Sequence, residues 1–214
     1  MKLMLLGPPG AGKGTCAKSL SEILNVPHIS TGEMFRQMAE EKNPLGIEAK
    51  EKYWGNGKLV PDDVTTKLVL ERLKKPDCAK GYILDGFPRT IAQAEMFGKS
   101  DFKIDSVIYF SITEEKAIER LYARRICPSC NNVYGLNSDK QFLLTNKCKC
   151  GGGLKQRSDD LPEVIVKRFQ VYGDETAPLR SYYFSKGILK TINAIMSPEA
   201  VISKVTGLLS TFRS

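Results

Sequence analysis

Histidine is nearly missing from this chain of 214 residues, occurring once, as His28. That excludes most catalytic schemes built on an imidazole base, because the sole candidate sits in Val26-Pro27-His28-Ile29, where no neighbour offers it a partner. His28 therefore reads as a structural residue beside a short strand. Apolar runs of membrane-spanning length are also missing, which excludes a helical span. No leader-like segment separates Met1-Lys2 from the first apolar run, so the expected location is cytoplasmic. Aromatic residues make up only 8% of the chain, and residues 126–161, the segment that most resembles a small nucleic-acid-binding module, contain just Tyr134 and Phe142. They do not interleave with basic residues as a base-stacking platform requires, so nucleic acid is not an expected partner. Repeats and low-complexity linkers are absent as well, and the length suits one core with insertions.

What remains is an ordinary globular composition, 42% hydrophobic and 26% charged, with a formal net charge of +8. An excess of positive charge suits an anionic ligand, and a solvated basic surface explains it equally well. The figure overstates the charge if four cysteines hold a metal as thiolates, since such a site carries about two negative charges.

The most informative stretch is Gly7-Pro8-Pro9-Gly10-Ala11-Gly12-Lys13-Gly14-Thr15, which follows the apolar run Leu3-Met4-Leu5-Leu6 and precedes a helical pattern from Thr15 to Leu24. Strand, glycine loop, lysine and helix in this order are what a polyphosphate needs. Glycines let successive backbone N–H groups converge, the helix N-terminus adds partial positive charge, and Lys13 reaches the outer phosphates. The residue after the lysine is Gly14, and the hydroxyl that usually binds Mg2+ arrives one position late, at Thr15. Thr15 therefore has a second reading, as a phosphate contact.

Strands are predicted at 2–6, 27–30, 81–85, 106–112 and 188–192, and helices at 13–24, 31–40, 61–74, 90–97, 113–125, 163–184 and 198–212, with a further helix over 44–54 ended by Gly55-Asn56-Gly57. The last helix has Ser197 as cap, Pro198 in its first turn, and Val201, Val205, Leu208 and Phe212 on one face. Alternating apolar strands and helices predict an α/β fold, a parallel sheet with helices on both faces. Residues 126–161 break the alternation. Their Asn131-Asn132, Asn137-Ser138 and Gly151-Gly152-Gly153 pairs and runs predict turns and hairpins.

Cys16 and Cys78 stand alone, whereas Cys127, Cys130, Cys148 and Cys150 fall within 24 residues. In a reducing compartment this clustering reads as a metal site, with Zn2+ as the expected ion. Four thiolates leave no open coordination position, so the ion is structural and holds together a segment too small to fold on its own core. The second pair is C-x-C, tighter than C-x2-C, which keeps a three-cysteine site, another metal or free thiols as alternatives. A second charged position follows the apolar run Tyr82-Ile83-Leu84, where Asp85 ends a strand and can hold Mg2+ through water beside the phosphate loop.

The phosphate loop, Ser30-Thr31-Gly32-Glu33-Met34-Phe35-Arg36, Gly57-Lys58-Leu59-Val60-Pro61-Asp62, Asp85-Gly86-Phe87-Pro88-Arg89-Thr90 with Gln93, and Gln156-Arg157-Ser158-Asp159-Asp160 occur in the order found in adenylate kinases. The chain resembles that family along essentially its whole length, and its cysteine segment resembles the zinc-bearing lid of the bacterial long form. The resemblance implies a P-loop nucleoside monophosphate kinase fold with lid and NMP-binding insertions. It also implies reversible Mg2+-dependent transfer of the terminal phosphoryl group of ATP to AMP, giving two ADP, a role in adenine nucleotide homeostasis, and a monomer. By resemblance Gly10, Ala11, Gly12, Lys13, Gly14, Thr15 and Arg124 bind ATP. Thr31, Arg36, Lys58, Val60, Gly86, Arg89, Gln93, Arg157 and Arg168 bind AMP, with Arg36 and Arg89 gripping its phosphate and Gln93 reading the adenine edge. Arg157 and Arg168 surround the transferring group together with Arg124, and Lys13, Asp85 and Arg89 complete the catalytic set. Two highly anionic substrates and a loose phosphoryl transition state call for positioning and fixed positive charge, which planar guanidinium groups supply.

Several assignments keep an alternative. Arg124 and Arg125 could simply end a helix, and the choice between them is open. Asp159 and Asp160 either pair with arginines or lie in a solvated turn. Kinases for UMP or CMP resemble this pattern with Ala or Gly at the position of Thr31, and a zinc-ribbon nucleic-acid-binding module is the reading from another class. The expected division is a core of 1–30, 61–125 and 162–214, an AMP-binding domain of 31–60 and a lid of 126–161.

Overall fold

Five short strands, β1 (Lys2–Leu6), β2 (His28–Ser30), β3 (Tyr82–Asp85), β4 (Ser106–Ser111) and, last in sequence, β7 (Leu189–Asn193), form one sheet in the computed structural model. The structure describes residues 1–135 and 140–210. The spatial order is β2-β3-β1-β4-β7 and every pairing is parallel. A parallel sheet must be covered on both faces, so its strands are apolar throughout rather than alternating. In β1 the period of two sends Leu3 and Leu5 into one core and Met4 and Leu6 into the other.

The first core is closed by α1 (Lys13–Leu24), through Cys16, Ala17 and Leu20, and by the C-terminal α10 (Pro198–Ser210), through Val201, Val205 and Leu209. The second is closed by α4 (Asp62–Leu73), α5 (Ile91–Gly98) and α9 (Leu179–Ser185). Between β2 and α4 lie α2 (Thr31–Glu40) and α3 (Pro44–Glu48), which bury Phe35, Ala49 and Val60 in a small core of their own. The chain then continues from α6 (Glu114–Ala123) into a hairpin of β5 (Arg125–Ile126) and β6 (Val133–Tyr134), a short α7 (Lys140–Thr145), and α8 (Pro162–Val171). Because β1 lies between β3 and β4, the crevice at its C-terminal end is where an open α/β sheet binds ligands.

The predicted parallel sheet and its strands are all present, with ends shifted by a residue or so. Three helix expectations change. The stretch 163–184 is not one helix: it breaks into α8, a π-helical turn at Tyr172–Thr176, and α9, because Pro178 has no N–H to continue the ladder. The stretch 44–54 likewise passes from α3 into a π-helical turn at Ala49–Tyr53 before Gly57 stops it at φ 74°. The helix at 113–125 ends at Ala123, since Arg124 is extended and Arg125 already pairs with Tyr134 across the hairpin. Ser197 caps α10 as expected, its Oγ accepting from the Ala200 N–H at 3.3 Å. Phe212 and the turn at Asn137-Ser138 lie outside the described residues.

Candidate functional site

The loop after β1 owes its shape to backbone that side chains would spoil. Gly10 has φ 82°, and a Cβ there would stand 2.4 Å from the carbonyl oxygen of Ala117. Gly12, at φ 89°, is the N-cap of α1 and offers no side chain to the first-turn N–H groups, so those donors stay free for an anion. Lys13 Nζ folds back over the loop, donating to Gly7 O at 2.7 Å and Pro8 O at 2.9 Å. Burial, and then the charges of Arg89, Arg168 and Arg124, lower the Lys13 pKa to about 8 against the opposing pull of Asp85. A lysine held this way gains on meeting negative charge.

Asp85 ends β3 one strand away, in register with Leu5 of β1 and Ser30 of β2. A Cβ at Gly14 would stand 3.3 Å from its Oδ2, so the residue after the lysine lies against this carboxylate. Burial pushes the Asp85 pKa up, but the hydrogen bond from His28 and the charges of Lys13, His28 and Arg89 outweigh it, and the carboxyl stays below its usual range. His28 thus has a partner, with Nε2 3.3 Å from Asp85 Oδ2. The sequence hid it because the partner lies on the neighbouring strand, 57 residues away.

Facing the loop is a set of cations with few anions among them. Arg89 donates through Nε to Gly86 O at 2.8 Å, and Thr31 Oγ1 donates to the same carbonyl at 2.8 Å. Burial, then the nearby Arg168 and Arg36, push Arg89 down to about 10; burial, then Arg36 and Arg124, do the same to Arg157. Arginines that depress one another are short of counter-charge. Arg157 Nε is buried without a hydrogen-bond partner, an arrangement that is costly unless something anionic arrives. Arg124 holds Asp160 through Nε at 2.7 Å, and Arg168 reaches Asp160 Oδ1 at 3.0 Å and the backbone oxygen of Asp159 at 2.6 Å. Asp159 and Asp160 are therefore buried ion-pair partners, at 7% and 0% exposure, rather than a solvated turn. Arg124 faces this cavity, whereas Arg125 turns back to the carbonyls of Tyr122 and Arg124.

Arg89, Arg124, Arg157, Asp159 and Arg168 line one cavity of about 670 Å³ that also takes in Gly7, Pro9 to Thr15, Lys58, Val60, Gly86 and Gln93. Gln93 is 1% exposed and engaged at both ends of its amide, Oε1 accepting from Arg89 N at 2.8 Å and Nε2 donating to Asp62 Oδ1 at 2.7 Å. Thr15 is exposed at the cavity wall.

A second site lies in the insertion. The sulfurs of Cys127, Cys130, Cys148 and Cys150 all fall within 4.8 Å of one another, with Cys127 Sγ 3.5 Å from Cys150 Sγ and Cys130 Sγ 3.3 Å from Cys148 Sγ. Metal–sulfur bonds of about 2.3 Å in a tetrahedron put sulfurs roughly 3.8 Å apart, so these four side chains fit one ion with little movement. The C-x-C pair reaches the same point as the C-x2-C pair because Cys148 N and Gly151 N close a tight turn around it, bonding Gly152 O and Cys148 O at 2.8 Å each.

With this geometry in view, the comparisons with known proteins are direct. The family model described as adenylate kinase matches residues 5–188. The chain belongs to the adenylate kinase family. It is 45% identical over 214 residues to an adenylate kinase of Thermosipho melanesiensis, covering 98% of this chain and 99% of the relative. An adenylate kinase of Archaeoglobus fulgidus is 46% identical over 221 residues, covering the whole of both chains, and one of Carboxydothermus hydrogenoformans is 44% identical over 213 residues, covering 98% and 99%.

Within this adenylate kinase fold, some cavity residues carry no sequence signal. Val133 and Tyr134 enter the wall from the hairpin, and Trp54 from the turn after α3. Thr176 Oγ1 donates to Arg89 O at 2.7 Å across 87 positions, a contact made possible by the π-helical turn that interrupts the predicted helix. Neither spacing nor residue type distinguishes such residues from ordinary packing.

Proposed function

We propose that this chain catalyses reversible, Mg2+-dependent transfer of the terminal phosphoryl group of ATP to AMP, giving two ADP, and so serves adenine nucleotide homeostasis. The carrying observation is the cluster of Lys13, Arg89, Arg124, Arg157 and Arg168, mutually depressed in pKa or paired with Asp160, around one cavity opposite a glycine loop. In this reading Gly10 to Thr15 and Arg124 hold the ATP phosphates, and Arg36 and Arg89 hold the AMP phosphate. Thr31, Lys58, Val60, Gly86 and Gln93 shape the acceptor pocket, and Arg157 and Arg168 bridge both sides.

No residue needs to act as nucleophile. The chain brings two anions together, neutralises them and keeps water out, which is what a loose phosphoryl transfer requires. Asp85 would hold Mg2+, whose charge offsets that on the phosphates. Residues 31–60 and 126–161 are read as the appendages that close over the core of 1–30, 61–125 and 162–214. The α1 side chain Lys18 already donates to Asn131 O of the insertion at 3.4 Å. Because cleft and appendages come from one chain, a cytoplasmic monomer suffices. Purified protein with Mg2+ is expected to convert ADP into ATP and AMP, and to prefer AMP in a coupled assay across acceptor monophosphates. No conversion, or preference for UMP or CMP, would overturn the reading.

Cys127, Cys130, Cys148 and Cys150 are read as ligands of a structural Zn2+. The small core beneath them, Tyr134 and Leu154 with Phe142 against it, buries too little to hold the insertion alone. Removing the metal with a chelator is expected to lower the melting temperature markedly while kcat on saturating nucleotides changes much less. An unchanged melting curve with lost activity would contradict a scaffold role.

A further inference from the structure

Tyr134 stands between the two sites. It is 4% exposed and forms part of the wall of the nucleotide cavity. Its hydroxyl oxygen lies 3.2 Å from Cys148 Sγ and accepts a 3.1 Å hydrogen bond from the Lys149 N–H. With the oxygen already accepting from the backbone, the hydroxyl proton is directed to the sulfur. A metal-bound thiolate has no proton to give and can only accept, so the direction of the bond is fixed whenever the cluster is filled.

We infer that Tyr134 is the outer-sphere hydrogen-bond donor to the metal-bound sulfur of Cys148, and that through this bond the metal sets the position of the insertion's wall of the nucleotide cavity. The inference rests on reading the four cysteines as a metal site. Three observations carry it beyond that reading. Cys148 opens the C-x-C pair, whose single intervening residue leaves its sulfur less free to adjust than a C-x2-C knuckle, so an external group that orients it matters more. Tyr134 is in β6, directly opposite Arg125 in β5, which places it close to Arg124, a cavity-lining residue bonded to Asp160. Its ring also packs on Phe142 at 5.2 Å between centroids, which fixes the hydroxyl's aim. Hydrogen bonds to ligating groups from such partners commonly alter metal retention by about 10–100-fold.

The test uses metal-loaded full-length protein and Tyr134→Phe, which keeps the ring and its contact with Phe142 while deleting the donor. Metal content is measured first, then the rate of transfer to a coloured chelator, then KM for ATP and for AMP separately. The expected result is stoichiometric metal in both proteins, release at least tenfold faster from the variant, and a raised KM for ATP with an unchanged KM for AMP. A wild-type protein without metal would sink the metal reading itself. Loaded proteins that release metal at equal rates would overturn the hydrogen bond, and faster release with KM for ATP unmoved would overturn the coupling to the cavity.

Discussion

Lys13→Ala is expected to lower kcat/KM for ATP by about 10²–10³-fold, the range found when one preorganised charge-stabilising donor is removed from an active site, while the protein stays folded. Among the described residues the ammonium's hydrogen bonds go to two carbonyls of its own loop, and its burial is unfavourable to its charge. Deleting it therefore removes little that holds the fold together. The same group predicts an alkaline limit. Below a pKa of about 8 Lys13 is charged and attracts the triphosphate, and above it the attraction is lost, so kcat/KM for ATP falls as pH rises through about 8. With ATP already bound, the phosphates favour the charged form, and the fall in kcat moves to higher pH. A Lys13→Ala enzyme with near-normal turnover would refute the role, as would a wild-type kcat/KM flat to pH 10. Arg89→Ala is expected to act similarly on the AMP side, raising KM for AMP along with lowering kcat.

Much of this was legible in the residues because the relevant signals are local. The apolar run of β1, the glycines that follow it and the lysine at the head of α1 are contiguous, so the chemistry of backbone donors and helix end could be read without knowing the rest of the fold. The four cysteines were legible for a similar reason, since each pair is a closed local turn. What could not be read depends on contacts across the sheet or across the cleft. His28 finds Asp85 only once β2 lies beside β3, and Arg124 is separated from Arg125 only once the helix stops at Ala123 and the hairpin turns one guanidinium toward Asp160 and the other away. The break between α8 and α9 is marked by Pro178, which the predicted helix over 163–184 runs through. Trp54 shows the limit most clearly. It is the single tryptophan of the chain, the sequence pattern makes it the last residue of a predicted helix over 44–54, and the structure puts it in the cavity wall with its indole N–H buried and without a partner among the described residues.

The second large effect concerns Asp160, whose side chain is fully buried between Arg124 and Arg168, themselves 19% and 21% exposed. Before nucleotide binds, this carboxylate is what allows two arginines to wait in a poorly solvated cleft. Asp160→Asn keeps the shape and removes the charge, leaving Arg124 without its counter-ion and Arg168 with only Asp159, whose Oδ2 lies 3.3 Å from its Nη1. Breaking a buried pair from one side typically costs about 3–5 kcal/mol. For a chain of this size each kcal/mol corresponds to roughly 2–4 °C, so the ligand-free variant is expected to melt about 10 °C or more below wild type. Nucleotide phosphates then do in the variant what Asp160 does in the wild type, giving the arginines an anion to meet. The rise in melting temperature caused by saturating ATP and AMP analogues is therefore expected to be larger in the variant than in the wild type, because ligand binding there relieves an unpaired charge rather than adding to a satisfied one. Thermal melts of both proteins with and without nucleotide measure both differences. A variant that melts within about 2 °C of wild type would show that Asp160 does not hold the arginines in the free protein. Equal ligand-induced shifts would show that the arginines it pairs with are not the ones that receive the phosphates.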